Sequence, residues 1–554
     1  MAGPKTVPAD FDRLVDQYFD DYYHYHPTEG TSAGFHQYDT HLEDYSLANI
    51  ANEIRSLRRF LAEFQRVPAA ELTGNAAADR DLVIHNIESQ LLELENIRQW
   101  EKNPDKYSSG ITNSAYVIMS RSFAPPAERL KSLIARERLM AKSFAQARSN
   151  LRNPPRIYTE VAIEQLPGDI AFFKNDVPDA FKNVSDSNLL GEFNASNQAV
   201  IAGLVEYQNF LKSDLLARSK GDFRIGAENY RKKLSYDEMV DTPLDKLLEI
   251  GYQNLRQNQQ AFRLTAAKVD PKRTPQEILH DLEKDHPPAD GLLQTFRDVL
   301  GGLRGFIVQR KIATIPSTTP PSLEETPPFM RALTTASMDT PGPFEKVAKE
   351  AFFNVTLPER SWSREQVDEH MKSFNRGTIV STAVHEVYPG HYTQFLWVQN
   401  APSKVRKLIG ASTNAEGWAH YSEQMMLDEG YGNGDLKLRL GQLQDALLRN
   451  ARYIVGIEMH TGKMSFEQAV EFFVKEGYQT RALGLVETKR GTSDPTYLYY
   501  TLGKLEILKL RDDYRKLRGA KFTLLDFHDT FLAQGFPPIQ IIRRAMLGND
   551  SPVL

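Results

Sequence analysis

The feature that most constrains the fold of this chain is the helical spacing of its apolar residues. Three stretches show it clearly: one follows the candidate N-cap Asp10, one lies near residue 90, and one follows Pro125-Pro126. Their apolar members are Phe11, Leu14, Val15, Tyr18, Phe19 and Tyr22, then Ile84, Ile87, Leu91 and Leu94, then Leu130, Leu133 and Ile134. Side chains three and four residues apart share the buried face of an amphipathic helix. The sequence therefore predicts a mainly α fold.

A proline-rich segment divides the chain. Residues 313–343 contain seven prolines, and a proline inside a helix removes a backbone donor and clashes with the preceding turn. We expect an extended connection there, followed by a short strand over residues 351–356, whose sequence is A-F-F-N-V-T. The predicted organisation is a helical N-terminal lobe over 1–312 and a catalytic lobe over 313–554, within one continuous fold.

Composition excludes several classes of protein. The formal net charge is −5, which gives no electrostatic basis for binding nucleic acid. The basic residues from Lys504 to Arg518 are interrupted by Asp512 and Asp513, and a solvated helix face explains them better. The chain contains no cysteine, which excludes thiolate metal ligands, a cysteine nucleophile and disulfides.

The absence of cysteine also suits a protein exported to an oxidising compartment. We therefore expect an extracytoplasmic protein that is periplasmic, secreted or lipid-anchored. The first residues, M-A-G-P-K, include no apolar signal region, so this expectation requires a signal removed before the present sequence, and a cytoplasmic location is the alternative. No apolar run reaches the length of a membrane span.

Residues 381–395, S-T-A-V-H-E-V-Y-P-G-H-Y-T-Q-F, carry the clearest chemical motif. Two histidines near an adjacent glutamate are typical of zinc hydrolases, in which His385 and His391 would hold the metal and Glu386 would act as general base. The two histidines are six positions apart, so on an ideal helix their side chains would point about 120° apart. Pro389 prevents an ideal helix, and the distortion could bring the rings together. The alternative is a helix end with two unrelated histidines.

A second stretch, N-A-E-G-W-A-H-Y-S-E-Q at 414–424, offers a third ligand. Glu416 and Glu423 are seven residues apart and so share one helix face. An E-x6-E pair is often a solvated stripe. Here Trp418 and the neighbouring apolar residues make the helix largely apolar, and a buried carboxylate needs a partner such as a metal.

Three tyrosines follow in D-P-T-Y-L-Y-Y-T-L-G, residues 494–503. A phenol can donate a hydrogen bond to a developing oxyanion without competing for the metal. Tyr497, Tyr499 and Tyr500 are all candidates for this role. An aromatic cluster is more often part of a core, and that alternative stays open on the residues alone.

Together these motifs resemble a bacterial family of unknown function, the domain family numbered 885. The resemblance rests on H-E-x-x-P-G-H-x-x-Q, on E-G-W-A-x-Y-x-E, and on a tyrosine shortly before Gly-Lys-Leu. It extends over nearly the whole chain, from His26-Pro27-Thr28 and Gly34-Phe35-His36 to the closing helices. That family is distantly similar to helical gluzincin peptidases such as thimet oligopeptidase and angiotensin-converting enzyme.

The gluzincin resemblance implies roles for individual residues. Thimet oligopeptidase has its ligand glutamate 25 residues after the second histidine and another glutamate seven residues later, and Glu416 and Glu423 stand at those spacings here. Glu416 is thus implied as the third ligand, Glu423 as a residue that orients a histidine, and Tyr500 as the oxyanion donor. His460 and Arg452 fit further catalytic and supporting positions. Gly456 departs from the pattern, because an aspartate is expected there and its role is either lost or transferred to Glu458.

The resemblance also implies two helical lobes around a long substrate cleft with a small β-sheet at the cleft edge. The expected function is that of a Zn²⁺-dependent metallopeptidase acting on oligopeptides. One alternative is a metallohydrolase of small non-peptide amides or esters, since the same site can serve either substrate. The other is a catalytically silent binding protein that keeps the fold.

Overall fold

The structure is a computed structural model that describes residues 7–331 and 334–554. It is mainly helical with one small sheet, which confirms the predicted fold class. None of the described helices is long and apolar enough to cross a membrane. The predicted long cleft between two lobes stays a prediction.

The chain forms two compact units. Within the described residues, the first comprises 7–223, 327–331 and 341–350, and the second comprises 224–326, 334–340 and 351–554. Along the chain, the first boundary between the units lies between Phe223 and Arg224. The boundary predicted between the two lobes lies near residue 312.

The helices of the first unit are α1 (Val7–Tyr25), α2 (Pro27–Ala33), α3 (Leu47–Arg66), α4 (Ala76–Leu92), α5 (Gln99–Lys102), α6 (Ser109–Met119), α7 (Pro126–Asn150), α8 (Arg156–Ala171), α9 (Val177–Ala180), α10 (Ser187–Phe210) and α11 (Leu216–Arg218). Helix α7 begins at Pro126, as predicted, because the missing N–H of proline costs nothing in the first turn. Helix α1 begins at Val7, so the prediction of Asp10 as its N-cap is wrong, and Asp10 lies within the first turn. The predicted stripe of α1 is largely buried.

The helices of the second unit are α12 (Gly226–Glu238), α13 (Leu244–Val269), α14 (Pro275–Glu283), α15 (Leu292–Arg310), α16 (Arg364–Met371), α17 (Arg376–Glu386), α18 (His391–Val398), α19 (Lys404–Leu408), α20 (Ser412–Asp428), α21 (Leu436–His460), α22 (Phe466–Lys475), α23 (Arg481–Ser493), α24 (Tyr499–Arg518), α25 (Leu524–Leu532) and α26 (Ile539–Leu547). Helix α13 packs along α21, where Asn258 and Asn450 are hydrogen-bonded side chain to side chain at 2.7 Å. This packing explains why residues before 312 belong to the second unit.

The sheet has three short strands, β1 (Ser322–Glu325), β2 (Ala336–Asp339) and β3 (Phe352–Val355). Strand β3 is central, parallel to β1 and antiparallel to β2. Its Phe353 and Val355 side chains are fully buried, which explains why the apolar sequence over 351–356 predicts this strand correctly. Strands β1 and β2 come from the proline-rich segment and were not predicted, because prolines beside them mask the short strand pattern.

Two pairs of glycines bring the long helices of the second unit close together. A Cβ atom on Gly417 of α20 would lie 2.6 Å from the backbone of Gly503 on α24. Likewise, a Cβ atom on Gly441 of α21 would lie 2.4 Å from the backbone of Gly377 on α17. Since these distances are far below ordinary contact, only glycine allows such an approach. Helices α17, α20, α21 and α24 thereby meet around one region.

Candidate metal centre

The two histidines of the H-E-x-x-P-G-H motif lie on consecutive helices. His385 is in the last turn of α17, and His391 is the first residue of α18. Pro389 and Gly390 form the turn between them, and the Gly390 N–H donates to the carbonyl of Val384 at 3.0 Å. The predicted distortion at Pro-Gly is therefore a complete break in the helix. The angle expected for six residues along one helix no longer applies.

The turn is tightly packed on both sides. A Cβ atom on Gly390 would lie 1.8 Å from the carbonyl oxygen of His385 and 2.3 Å from that of Val384. The carbonyl of Pro389 accepts a 2.8 Å hydrogen bond from the fully buried indole of Trp418 on α20. Glycine thus permits the turn, and the helix that carries Glu416 holds it in place.

Three side chains converge beside this turn. The Nε2 atoms of His385 and His391 lie 3.1 and 3.3 Å from the same oxygen, Oε2 of Glu416, and the imidazole centres are 4.8 Å apart. Ligand atoms around a tetrahedral zinc, each about 2.0–2.1 Å from the ion, are separated from one another by about 3.3 Å. These are the three ligands predicted from sequence, and they could together hold a metal ion.

The hydrogen bonds of His385 indicate that a cation fits this cluster. Its Nδ1 lies 2.7 Å from Oε1 of Glu423, and since an ionised carboxylate only accepts, Nδ1 carries the proton. In the neutral imidazole, Nε2 then has no proton, and its lone pair faces Oε2 of Glu416, another acceptor, at 3.1 Å. Two acceptors so close repel unless a proton or a metal ion is shared between them. Two imidazole nitrogens and one carboxylate oxygen suit a catalytic zinc site.

Glu423 holds His385 in this orientation. Its buried carboxylate also accepts from His420 Nδ1 and from the Arg449 guanidinium, each at 3.0 Å. Burial alone would raise the pKa of Glu423, but Arg449 and the two imidazoles hold that pKa well below its usual range. Burial, together with the nearby Lys504, lowers the pKa of His420 to about 3, so this ring is a neutral donor. These contacts are the ones that the predicted orienting role of Glu423 requires.

The cluster itself is suited to a positive charge at its centre. Burial lowers the pKa of His385, but hydrogen bonds to Glu416 and Glu423 outweigh burial and raise the pKa to about 9. Burial would raise the pKa of Glu416, yet His391 and His385 hold that pKa well below its usual range. Glu416 is therefore ionised and His385 takes up a proton. Metal binding would release this proton, because a ligating imidazole must be neutral.

Glu386 is the last residue of α17, next to His385. Its carboxylate is partly exposed and makes no hydrogen bond or ion pair with any residue in 7–331 or 334–554. Burial raises the pKa of Glu386, and the imidazoles of His385 and His391 oppose that shift. A carboxylate without a protein partner beside three candidate ligands is available to accept a proton from water.

Tyr500 lies against His385, with ring centres 6.2 Å apart and planes at 27°. Its hydroxyl accepts a 2.9 Å hydrogen bond from Nη2 of Arg490. Because a guanidinium stays protonated and only donates, the proton of the hydroxyl points elsewhere. Among the residues that the structure describes, no acceptor takes this proton. The hydroxyl can therefore donate to a bound molecule.

The other two tyrosines have different surroundings. Tyr497 is fully buried, and its hydroxyl faces the carbonyl of Glu487 at 3.4 Å. The hydroxyl of Tyr499 donates to Oδ2 of Asp494 at 2.7 Å. Of the three, Tyr500 is the one whose ring contacts a candidate metal ligand.

Arg452 contacts Tyr500. Its Nε and Nη2 make hydrogen bonds of 2.6 and 2.8 Å to the carboxylate of Glu487, and its guanidinium lies 4.7 Å from the centre of the Tyr500 ring. Arg449 and Arg490 approach the same ring at 5.7 and 6.0 Å. The supporting role predicted for Arg452 is thus directed at the tyrosine, which three arginines surround.

His460 contacts helix α23. It is the last residue of α21, fully buried, with Nε2 2.7 Å from the carbonyl oxygen of Gly491. It follows Arg449, which reaches Glu423, by 11 residues, or about 16 Å of helix rise. The role of His460 as a second oxyanion donor stays a prediction.

Known proteins share this architecture. The family described as "Bacterial protein of unknown function (DUF885)" matches residues 27–546. The chain belongs to this family. A candidate lipoprotein of unknown function from Shewanella oneidensis is similar to this DUF885 protein, at 26% identity over 97% of this chain and 99% of its own, with a TM-score of 0.79.

A candidate lipoprotein from Colwellia psychrerythraea shares the fold. It is 18% identical over 98% of this chain and 99% of its own, with a TM-score of 0.82. No curated protein matches this DUF885 sequence.

Sequence reasoning missed several residues of the site in this DUF885 protein. The carboxylate that pairs with Arg452 is that of Glu487 on α23. Glu458 instead accepts a hydrogen bond from the Tyr252 hydroxyl at 3.2 Å. An aspartate at Gly456 would not fit easily, because its Cβ would lie 2.9 Å from the carbonyl oxygen of Pro495. Arg449 and Arg490 were also missed. A usable signal was present, since Arg449 and Arg452 are one turn apart on α21, as are Glu487 and Arg490 on α23.

Replacing Gly390 with alanine should abolish metal binding. The new Cβ would displace the turn that positions His391 relative to His385. We expect zinc occupancy, measured by elemental analysis after dialysis against zinc, to fall from about one per chain to near zero. Gly301→Ala on α15 is the matched control, since a Cβ there meets nothing within 4 Å. Full zinc occupancy in Gly390→Ala would show that the turn does not set the ligand geometry.

Proposed function

We propose that this DUF885 protein is a zinc-dependent metallohydrolase, specifically a peptidase that cleaves oligopeptides by attack of water. The observation that carries this proposal is the convergence of His385, His391 and Glu416, with Glu386 adjacent and without a partner among the described residues. Two imidazoles and one carboxylate leave a coordination position for water or substrate in a catalytic zinc site.

Each further residue has a defined part in the proposed reaction. Zinc bound by the three ligands would polarise the scissile carbonyl and lower the pKa of a coordinated water. Glu386 accepts the proton of the attacking water and then transfers it to the leaving amine. Tyr500 donates a hydrogen bond through its hydroxyl to the oxyanion that forms from the carbonyl oxygen. Glu423 keeps His385 in the tautomer that ligates through Nε2.

The position of the sheet favours a peptide over a small amide or ester as the substrate. Strand β2 is an edge strand of the β1-β3-β2 sheet and packs against α17, the helix that carries His385 and Glu386. An extended peptide can add to a strand edge through main-chain hydrogen bonds, whereas a small amide or ester gains little there.

We place this activity outside the cytoplasm. The relatives from Shewanella oneidensis and Colwellia psychrerythraea are described as candidate lipoproteins, and the chain contains no cysteine. Both observations fit an extracytoplasmic compartment.

The proposal is tested by comparing zinc-loaded and chelator-treated protein on a panel of oligopeptides, small amides and esters. We expect hydrolysis of oligopeptides that disappears with the chelator and returns on adding zinc. Hydrolysis confined to the small amides or esters would exclude a peptidase. Zinc binding with no hydrolysis of any substrate would favour a silent binding protein.

Tyr500→Phe should lower kcat by about 10²–10³ with little change in KM, because the hydroxyl acts only in the transition state. The ring remains, so zinc content and Tm should hardly change. Tyr499→Phe is the matched control, since its hydroxyl binds Asp494. A normal kcat in Tyr500→Phe, or a larger loss in Tyr499→Phe, would contradict the assignment.

A further inference from the structure

Arg490 differs from the other two arginines around Tyr500 in how its charge is balanced. Arg449 is paired with the buried Glu423 at 3.0 Å, and Arg452 makes a two-bond pair with Glu487. Both side chains are 10% exposed or less. These two cations are therefore neutralised within the protein.

The carboxylate nearest Arg490 is a weak partner. Oδ2 of Asp494 lies 3.7 Å from Nη2 of Arg490, which is too long for a hydrogen bond, and the same oxygen already accepts from the Tyr499 hydroxyl at 2.7 Å. The Arg490 side chain is 29% exposed. Of its five N–H donors, one makes a hydrogen bond within the part of the chain that the structure describes, to the Tyr500 hydroxyl. A partly exposed guanidinium with unused donors thus stands beside the proposed oxyanion donor.

We propose that Arg490 binds the free α-carboxylate of the substrate and makes the enzyme an exopeptidase that removes the C-terminal amino acid. This inference rests on the proposed function, in which Tyr500 donates to the oxyanion. Guanidinium and carboxylate form strong paired hydrogen bonds, and the planar fork of arginine gives the pair geometric specificity.

The short distance between Arg490 and the Tyr500 hydroxyl favours cleavage of the last peptide bond of the substrate. Arg490 Nη2 is 2.9 Å from the Tyr500 hydroxyl, and a second hydrogen bond would join that hydroxyl to the oxyanion, so the guanidinium lies within about 6 Å of the oxyanion. In a C-terminal amino acid, only the amide nitrogen and Cα separate the carboxylate carbon from the scissile carbonyl carbon. A carboxylate several residues further along the peptide would lie beyond this reach.

The test compares acetyl-Ala-Phe with two other substrates: acetyl-Ala-Phe-amide, which differs only in lacking the free carboxylate, and acetyl-Ala-Asp-amide, which carries its carboxylate on the side chain. We expect the zinc-loaded protein to hydrolyse acetyl-Ala-Phe with a kcat/KM about 10- to 100-fold higher than that of either amide. A hydrogen bond between charged groups contributes a factor of about this size. Equal rates on acetyl-Ala-Phe and its amide would overturn the inference while leaving the proposed function intact. Equal rates on acetyl-Ala-Phe and acetyl-Ala-Asp-amide would overturn the assignment to the α-carboxylate.

Arg490→Gln should bring the ratio between acetyl-Ala-Phe and its amide close to one. All kcat values will fall together because the contact with Tyr500 is lost, so the ratio is the decisive quantity. Arg490→Lys should keep part of the preference, because the charge remains without the fork. Arg481→Gln, on the same helix but paired with surface glutamates, should leave the ratio unchanged. An unchanged ratio in Arg490→Gln would contradict the proposal.

Product binding gives a readout that does not need turnover. Phenylalanine should raise the Tm of the zinc-loaded protein more than phenylalaninamide does, and Arg490→Gln should remove the difference. If no peptide is hydrolysed, the proposed function fails, and this measurement still decides whether Arg490 binds a carboxylate. Equal shifts from the two compounds in the parent protein would overturn the inference.

Discussion

Glu386→Gln should leave zinc bound and lower peptide hydrolysis by about 10²–10⁴, the usual contribution of a general base. Glutamine keeps the length and shape of the side chain but cannot accept the proton of the attacking water. Glu386 has no protein partner in the described chain, so the substitution breaks no internal hydrogen bond. Tm and zinc content are therefore expected to stay within the range of the parent protein.

The measurement combines kcat/KM on one oligopeptide with elemental analysis of the same samples. Glu249→Gln on α13 is the matched control, because it removes an equal charge from an exposed site paired with Lys246. A Glu386→Gln protein with activity within a few-fold of the parent would show that another group takes the proton. Loss of zinc from this variant would mean instead that Glu386 contributes to metal binding.

The candidate site also shows which features the sequence predicts well. His385, Glu386 and His391 are local in sequence, and the proline and glycine between them predict a distortion of the helix. Glu416 is more distant, yet it lies on a single helix with Glu423. The two glutamates are found because their spacing along one helix already implies a shared face.

The supporting residues illustrate what sequence periodicity leaves undetermined. Glu487 pairs with Arg452 across 35 residues, and this contact depends on which face of α23 meets α21. Periodicity identifies a buried face but gives no information on its partner helix. His460 is also suited to catalysis by type and by order along the chain, but it lies at the buried end of α21, and its role stays a prediction.

In the fold, too, the features that depend on local sequence are predictable and those that depend on tertiary contacts are not. The helical content is predictable because many amphipathic stripes point to it independently. The three-stranded sheet is only partly predictable, since β3 has a strand pattern of its own whereas β1 and β2 are short strands among prolines. Their order depends on pairing with β3, which is a tertiary contact.

His391→Ala should empty the metal site while the helices remain. Three protein ligands hold the proposed zinc, and removing one imidazole leaves His385 and Glu416, too few for a stable catalytic site. His391 begins α18, its Nδ1 has no hydrogen-bond partner within the described residues, and its Nε2 contacts Glu416, another candidate ligand. The substitution therefore alters the ligand cluster and leaves the backbone hydrogen bonds of the helices in place. The far-UV circular dichroism spectrum should therefore match that of the parent.

Zinc content and thermal stability together decide the assignment of His391. Added zinc should raise the Tm of the parent protein, because a ligand that binds only the folded state stabilises it. The same zinc should leave the Tm of His391→Ala unchanged, with occupancy near zero by elemental analysis. His280→Ala on α14 removes a histidine whose side chain is 61% exposed and should keep the full zinc response. If His391→Ala binds zinc as the parent does, His391 is not a ligand and the proposed catalytic centre has to be sought elsewhere.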